Sequence, residues 1–372
     1  MIPTRPLVIH KSLPNEIMGV IFEEHTKLDW RAPAIDGRVC RIWRQIVLNT
    51  PRAWTYLEIG TDQLTKRRLR EWLHRSGSAP LHIRVIRELT CLILDDLLRG
   101  YHTRIASLRL PLGDSFLFEG RDFPYLRLLE VNRWDPRDAP SMRWRSMPEL
   151  QSLRLVATET FSLQWSELPQ LEVLILYSTK LTSSPQHPQS LTTLMLDKVS
   201  VQDAISSPID FPSLTYLSVY FVTGLKPYIN APRLVTYHDS GREEPFPSPI
   251  PSLVEYGAYF PSFEDVNLAR WHHAFPNASR LSIRSYSIDL IKFFRSLSRD
   301  PNSLPALQTI SVGASGSEQF TEESQETMRS LVRVRGEVCR MDVILYFETK
   351  PPFHIPIFLG EVSHCHKMIV SV

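Results

Sequence analysis

Catalysis and metal binding need particular side chains at particular spacings, and this chain offers few. The only concentration of metal-ligand types is His364-Cys365-His366, with His354 upstream. Imidazole and thiolate are zinc ligands, but this spacing matches no structural zinc pattern. Trp271-His272-His273 reads as an amphipathic surface patch rather than a catalytic pair. Gly313-Ala314-Ser315-Gly316-Ser317 lacks the glycine positions of both a nucleophile elbow and a phosphate loop. No paired carboxylates stand out. The expectation is a protein without metal, cofactor or catalytic activity; a hydrolase on an α/β fold would require polar groups converging in one pocket.

What remains is an inventory of surface positions, and these depend on a repeated phrase. Its plainest copies are Leu150-Gln151-Ser152-Leu153-Arg154-Leu155 and Leu171-Glu172-Val173-Leu174-Ile175-Leu176. Alternation over the last three positions marks a short strand with one buried face. The first apolar position falls at Ile105, Leu126, Leu150, Leu171, Leu191, Leu214, Leu234, Leu253, Ala278 and Leu307. Successive steps average about 22 residues, within the period of leucine-rich repeats. Eight copies carry proline two residues earlier, at 124, 148, 169, 212, 232, 251, 276 and 305. Proline fixes its own φ and donates no hydrogen bond, so it suits the bend leading into a strand. The asparagine usual eight residues after the first leucine is absent: Trp134, Thr158, Thr179, Val199 and Val222 stand there. The expected fold class is therefore α/β, a solenoid of irregular leucine-rich repeats with a curved parallel sheet.

Between the two buried residues of each strand lies one that must point out of the sheet. Those positions are Arg109, Glu130, Arg154, Ile175, Met195, Ser218, His238, Gly257, Ser282 and Ser311, with Tyr177, Tyr216, Tyr220 and Tyr259 flanking them. Tyrosine, methionine and arginine are favoured on protein-binding surfaces. Arg109, Glu130, Arg154, Tyr177, Met195, Tyr216, Tyr220, His238 and Tyr259 are the candidates for contact with a protein target.

Composition narrows the partner class. A net charge of +2 and the absence of any sustained basic run argue against nucleic acid. No apolar run approaches the ~18 residues needed to cross a bilayer. Four well-separated cysteines, Cys40, Cys91, Cys339 and Cys365, point to reduced thiols in the cytosol or nucleus.

Upstream of the repeats, Pro14 suits the first position of a helix that carries Leu13, Ile17 and Ile21 as one stripe. A second helix is written by Ile35, Val39, Ile42, Trp43 and Ile46, although Asp36-Gly37 falls inside it, where glycine costs about 1 kcal/mol relative to alanine. Leu13-Pro14-x-Glu16-Ile17-x3-Ile21-Phe22, Val39-Cys40-Arg41-x-Trp43-Arg44 and Thr50-Pro51-x2-Trp54 together resemble the F-box. Trp72-Leu73-x-Arg75-Ser76-Gly77-Ser78-Ala79-Pro80-Leu81 resembles the segment that follows it in the F-box-like family of mushroom-forming fungi. This resemblance implies an adaptor-binding domain over residues 1–58, linker helices and a solenoid cap over 59–103, and a recognition domain of repeats over 104–372. It further implies docking on the Skp adaptor of a cullin-based ubiquitin ligase through Leu13, Pro14, Ile17, Ile21, Val39 and Trp43. Of these, Val39 and Trp43 are expected mainly to support the core. The rival expectation is a repeat scaffold that binds a protein partner without any ligase.

Overall fold

The computed structural model describes residues 13–60, 66–86, 99–111, 113–114, 118, 120–135, 146–157, 160–161, 165–181, 189–201, 209–222, 229–240, 249–260, 268–285, 290–299, 302, 304–315, 322–336, 342–348 and 366–370. They form two compact units that divide after Leu171. Both are built as an α/β repeat solenoid on a parallel sheet.

The first unit opens with three short helices, α1 (Asn15–Leu28), α2 (Ala32–Asp36) and α3 (Arg41–Leu48). Pro14 sits one residue before α1, and its carbonyl accepts the Met18 N–H at 3.1 Å. The expected second helix is in fact two. The chain leaves α2 at Gly37, whose N–H donates to the Pro33 carbonyl at 3.1 Å, and Cys40 caps α3 by accepting the Trp43 N–H on its sulfur. Asp36 is buried and pairs with His25 Nδ1 at 3.1 Å, tying α2 to α1. The Asp-Gly pair is thus a junction rather than a flaw in one helix.

Trp54 anchors these helices to α4 (Lys66–Arg75). It is 1% exposed, donates from Nε1 to the Val47 carbonyl at 2.8 Å, and meets Trp72 edge-on at 4.9 Å. Leu69, Trp72 and Leu73 form the buried side of α4, as their spacing predicts.

The parallel sheet begins earlier than the phrase count suggests. Strand β1 (Tyr56–Ile59) pairs with β2 (Leu81–Val85), followed by β3 (Ile105–Leu110), β4 (Leu128–Asp135) and β5 (Ser152–Ala157). Residues 87–98, within the linker helices and cap expected over 59–103, lie outside the described residues.

The second unit continues the same rule with β6 (Val173–Tyr177), β7 (Thr193–Asp197), β8 (Tyr216–Tyr220), β9 (Thr236–Asp239), β10 (Glu255–Phe260), β11 (Arg280–Ser285), β12 (Thr309–Ser315) and β13 (Asp342–Glu348), all parallel. Helices α5 (Leu268–Ala274), α6 (Leu290–Arg299) and α7 (Glu322–Gly336) lie between later strands. Strand β14 (His366–Val370) then pairs antiparallel with β13, an ending the sequence did not announce.

The repeated phrase fixes the core. All ten first positions are at most 3% exposed. Each of the eight prolines occupies the second position of a hydrogen-bonded four-residue turn, from Leu126 N–H to Phe123 carbonyl through to Leu307 N–H to Leu304 carbonyl. Proline's fixed φ prepares that turn position, and the turn's first residue is itself buried apolar in every case.

Left-handed turns replace the missing asparagine ladder. Ser178, Lys198 and Phe221 each follow a strand with φ near +50°. The Ser178 N–H reaches the Asp197 carbonyl, and the Lys198 N–H the Tyr220 carbonyl, both at 2.8 Å. The next residues, Thr179, Val199 and Val222, then fall inward and are 1% exposed.

Candidate protein-docking surfaces

Helix α1 is apolar on two sides. Met18, Phe22 and Thr26 face the core at i, i+4 spacing, while Ile17, Val20 and Ile21 share the opposite surface. The apolar stripe expected through Ile17 and Ile21 is thus an exposed one, and the buried side of α1 is a second stripe beside it. With Ile35, Val39 and Ile42 they make six large aliphatic side chains between 44% and 59% exposed. So much exposed aliphatic surface on three short helices makes them the candidate docking surface of this unit.

Val39, expected mainly in the core, is the most exposed of these six because the turn at Gly37–Cys40 lifts it off the helix. Trp43 is half-buried and packs on Phe22 with ring centroids 5.2 Å apart, so it supports the surface from beneath. Leu13 is half-buried and Pro14 exposed. Val20 was not singled out from the sequence. Its place at i+3 from Ile17 was the available signal.

On the outer face of the first unit's sheet, register aligns Glu58, Arg84, Arg109, Glu130 and Arg154 in one row. Arg109 Nε lies 3.5 Å from Glu130 Oε2, and Arg154 Nη1 lies 3.3 Å from Glu130 Oε1. The predicted outward residues of this unit are thus brought together as an ion-pair chain. Beside it Tyr56 stacks on His82 at 4.4 Å, in a cleft of about 980 Å³ that Trp30, Arg31, Tyr125 and Arg127 also line. Burial, helped by Lys27 and Arg109, pushes the His82 imidazole below its ordinary value, so it stands neutral there.

In the second unit, Tyr177, Met195, Tyr216 and Tyr220 lie half-buried on the outward side of β6, β7 and β8. Tyr259 lies on β10, and its side chain falls outside the described residues. His238 departs from expectation: it is on the outward side but 8% exposed. Its ring lies against Gly257 of the next strand, with Tyr216 at 5.6 Å on the other side and Glu255 Oε1 3.6 Å from Nε2. The imidazole holds the Glu255 carboxyl below the usual range, against the opposing effect of burial. His238 is therefore a covered packing residue rather than an open contact.

Gly257 makes this possible, since a Cβ there would come within 2.9 Å of the His238 ring. Gly257→Ala is expected to destabilise the protein by about 1–3 kcal/mol through overpacking. Urea unfolding checks this; no change would mean that the ring moves aside freely.

No family model matches the chain, and no curated protein is significantly similar to it.

Among the described residues, no three side chains of metal-ligand type come together and no helix is long and apolar enough to cross a membrane. His354, His364 and Cys365, and the side chain of His366, lie outside the described residues. The expected amphipathic patch at Trp271-His272-His273 runs from interior to surface: Trp271 is buried, His272 half-buried and His273 exposed. Trp271 lies edge-on to Tyr256 at 4.9 Å, and His272 Nδ1 accepts the Leu304 N–H at 3.4 Å.

Proposed function

We propose that the chain is a non-enzymatic substrate receptor of a Skp–cullin–F-box type ubiquitin ligase, working in the cytosol or nucleus. Its three N-terminal helices dock on the adaptor, and the outward side of its repeats holds a protein target. Catalysis is then supplied in trans by proximity to the charged enzyme of the ligase. The observation that carries this reading is the exposed aliphatic surface of Ile17, Val20, Ile21, Ile35, Val39 and Ile42 on helices whose sequence resembles the F-box. A unit this small hides too little of its own surface to leave such residues bare without a partner.

Pull-down of purified protein with the Skp adaptor tests it. Wild type is expected to retain the adaptor, and Ile17→Asp combined with Pro14→Ala is expected to lower recovery at least tenfold, with Tm unchanged because both side chains are exposed. Equal recovery of both proteins would refute the docking assignment. The alternative, a repeat scaffold outside any ligase, is favoured by the sheet face alone, and failure of a cullin to copurify from cells would select it.

A further inference from the structure

Asp197 is a buried carboxylate with one oxygen unpaired among the described residues. It is 6% exposed, and its Oδ1 is fully enclosed without a hydrogen-bond partner among the described residues. Inward-pointing Leu194 and Leu196 precede it on β7, so alternation puts Asp197 on the outward side of the sheet. Parallel register sets Tyr177 of β6 on one side of it and Tyr220 of β8 on the other. Both tyrosines are outward and half-buried. Strand spacing places their backbones about 10 Å apart, which lets a small cation seated over the carboxylate lie within about 6 Å of both rings. Lys198, the adjacent residue, is exposed and forms no ion pair with Asp197 among the described residues, although its charge acts on the carboxylate from nearby.

A carboxylate buried without a partner is costly, and the cost is relieved when an opposite charge arrives with donors. Aromatic side chains flanking a carboxylate are the chemistry that recognises an alkylammonium group, by attraction to the ring faces and to the anion together. We propose that Tyr177, Asp197 and Tyr220 form a site for a lysine ammonium group, free or methylated, presented by the protein target. This rests on the reading of the outward sheet face as the target-binding side. It adds the class of side chain that the target must offer.

The burial that enforces the site also raises the Asp197 carboxyl above its ordinary value. Asp197→Asn is accordingly expected to fold with equal or higher Tm, which removes misfolding as an explanation of its binding behaviour. The test uses full-length protein carrying ring-labelled tyrosine, titrated by NMR with n-butylammonium and, separately, n-butyltrimethylammonium at constant ionic strength. Wild type is expected to show saturable shifts of the Tyr177 and Tyr220 signals, assigned through Tyr177→Phe and Tyr220→Phe. In Asp197→Asn the half-saturation concentration is expected to rise at least tenfold. The stronger of the two probes tells whether the free or the methylated amine is preferred. Absence of saturable shifts with both probes, or equal binding by Asp197→Asn, overturns the site. Neither result touches adaptor recovery in the pull-down, so the two readings fail separately.

Discussion

Trp54→Ala is expected to lower the unfolding free energy by about 3–5 kcal/mol, the range for truncating a fully buried aromatic residue. Three independent contacts go with the indole. The Val47 carbonyl loses its 2.8 Å donor, Trp72 loses its edge-on partner, and the Arg75 guanidinium loses the ring 4.4 Å beneath it. Arg75 also pairs with Glu71, so its charge stays partly satisfied. Trp54→Phe retains an aromatic body and loses the hydrogen bond, and should cost about 1–2 kcal/mol less than the alanine variant. Equilibrium urea unfolding measures both. An alanine variant within 1 kcal/mol of wild type would show that the helices do not depend on this anchor. The effect should carry over to adaptor recovery, since α3 and α4 meet through this side chain.

Asp239→Ala is expected to destabilise by about 3–5 kcal/mol, mainly through what it leaves behind. Asp239 occupies an inward position of β9 where other copies of the phrase have an apolar residue, such as Val219 and Ala258 on either side, and it is 2% exposed. Tyr237 Oη donates to Oδ2 at 3.0 Å and Tyr256 Oη to Oδ1 at 3.1 Å. Removing the carboxylate orphans both buried hydroxyls, each worth about 1–3 kcal/mol. Burial, reinforced by the Asp239 carboxylate, pushes the Tyr256 phenol well above its ordinary value, so it remains a proton donor across the physiological range. The triple variant Tyr237→Phe, Tyr256→Phe, Asp239→Leu removes every member together and should recover more than half of the loss. Thermal or urea unfolding of the two proteins decides it. A single variant that costs less than 1 kcal/mol would show that the hydroxyls find other partners.

How much of this was legible in the chain depended on whether one residue type forces one geometry. Leu-x-x-Leu-x-Leu with proline two residues ahead leaves little choice: the proline sets a turn, the first leucine closes it, and the next two alternate into the core. That logic extended to α6, where Phe294 and Leu297 are fully buried at helical spacing, and to α7, where Leu331 is.

Where local pattern competes with tertiary packing, reading failed. Tyr56–Ile59 is too short to declare itself, and it becomes a strand because Leu81–Val85 lies beside it. The expected helix through Asp36-Gly37 divides because Cys40 caps a new helix at Arg41, which apolar periodicity does not see. The stripe of Ile17 and Ile21 was legible, while the inward side of α1 at Met18 and Thr26 was not. For the docking surface, identity and spacing named Ile17, Ile21 and Val39, while exposure added Val20, Ile35 and Ile42. His238 was placed on the correct side but not beneath its neighbours, since a glycine one strand away is invisible to alternation.

The left-handed residue after β6, β7 and β8 has a wider effect. There it turns the chain inward within two residues of the strand, ahead of the return segment. In the second unit the rungs stay in frame from Leu174 and Leu194 through Leu217, Tyr237, Tyr256 and Leu281 to Ile310, although the intervening stretches differ in length. Such a chain can gain or lose residues behind the sheet without shifting what it displays in front. New specificities can therefore arise one rung at a time, with the rest of the display left in place.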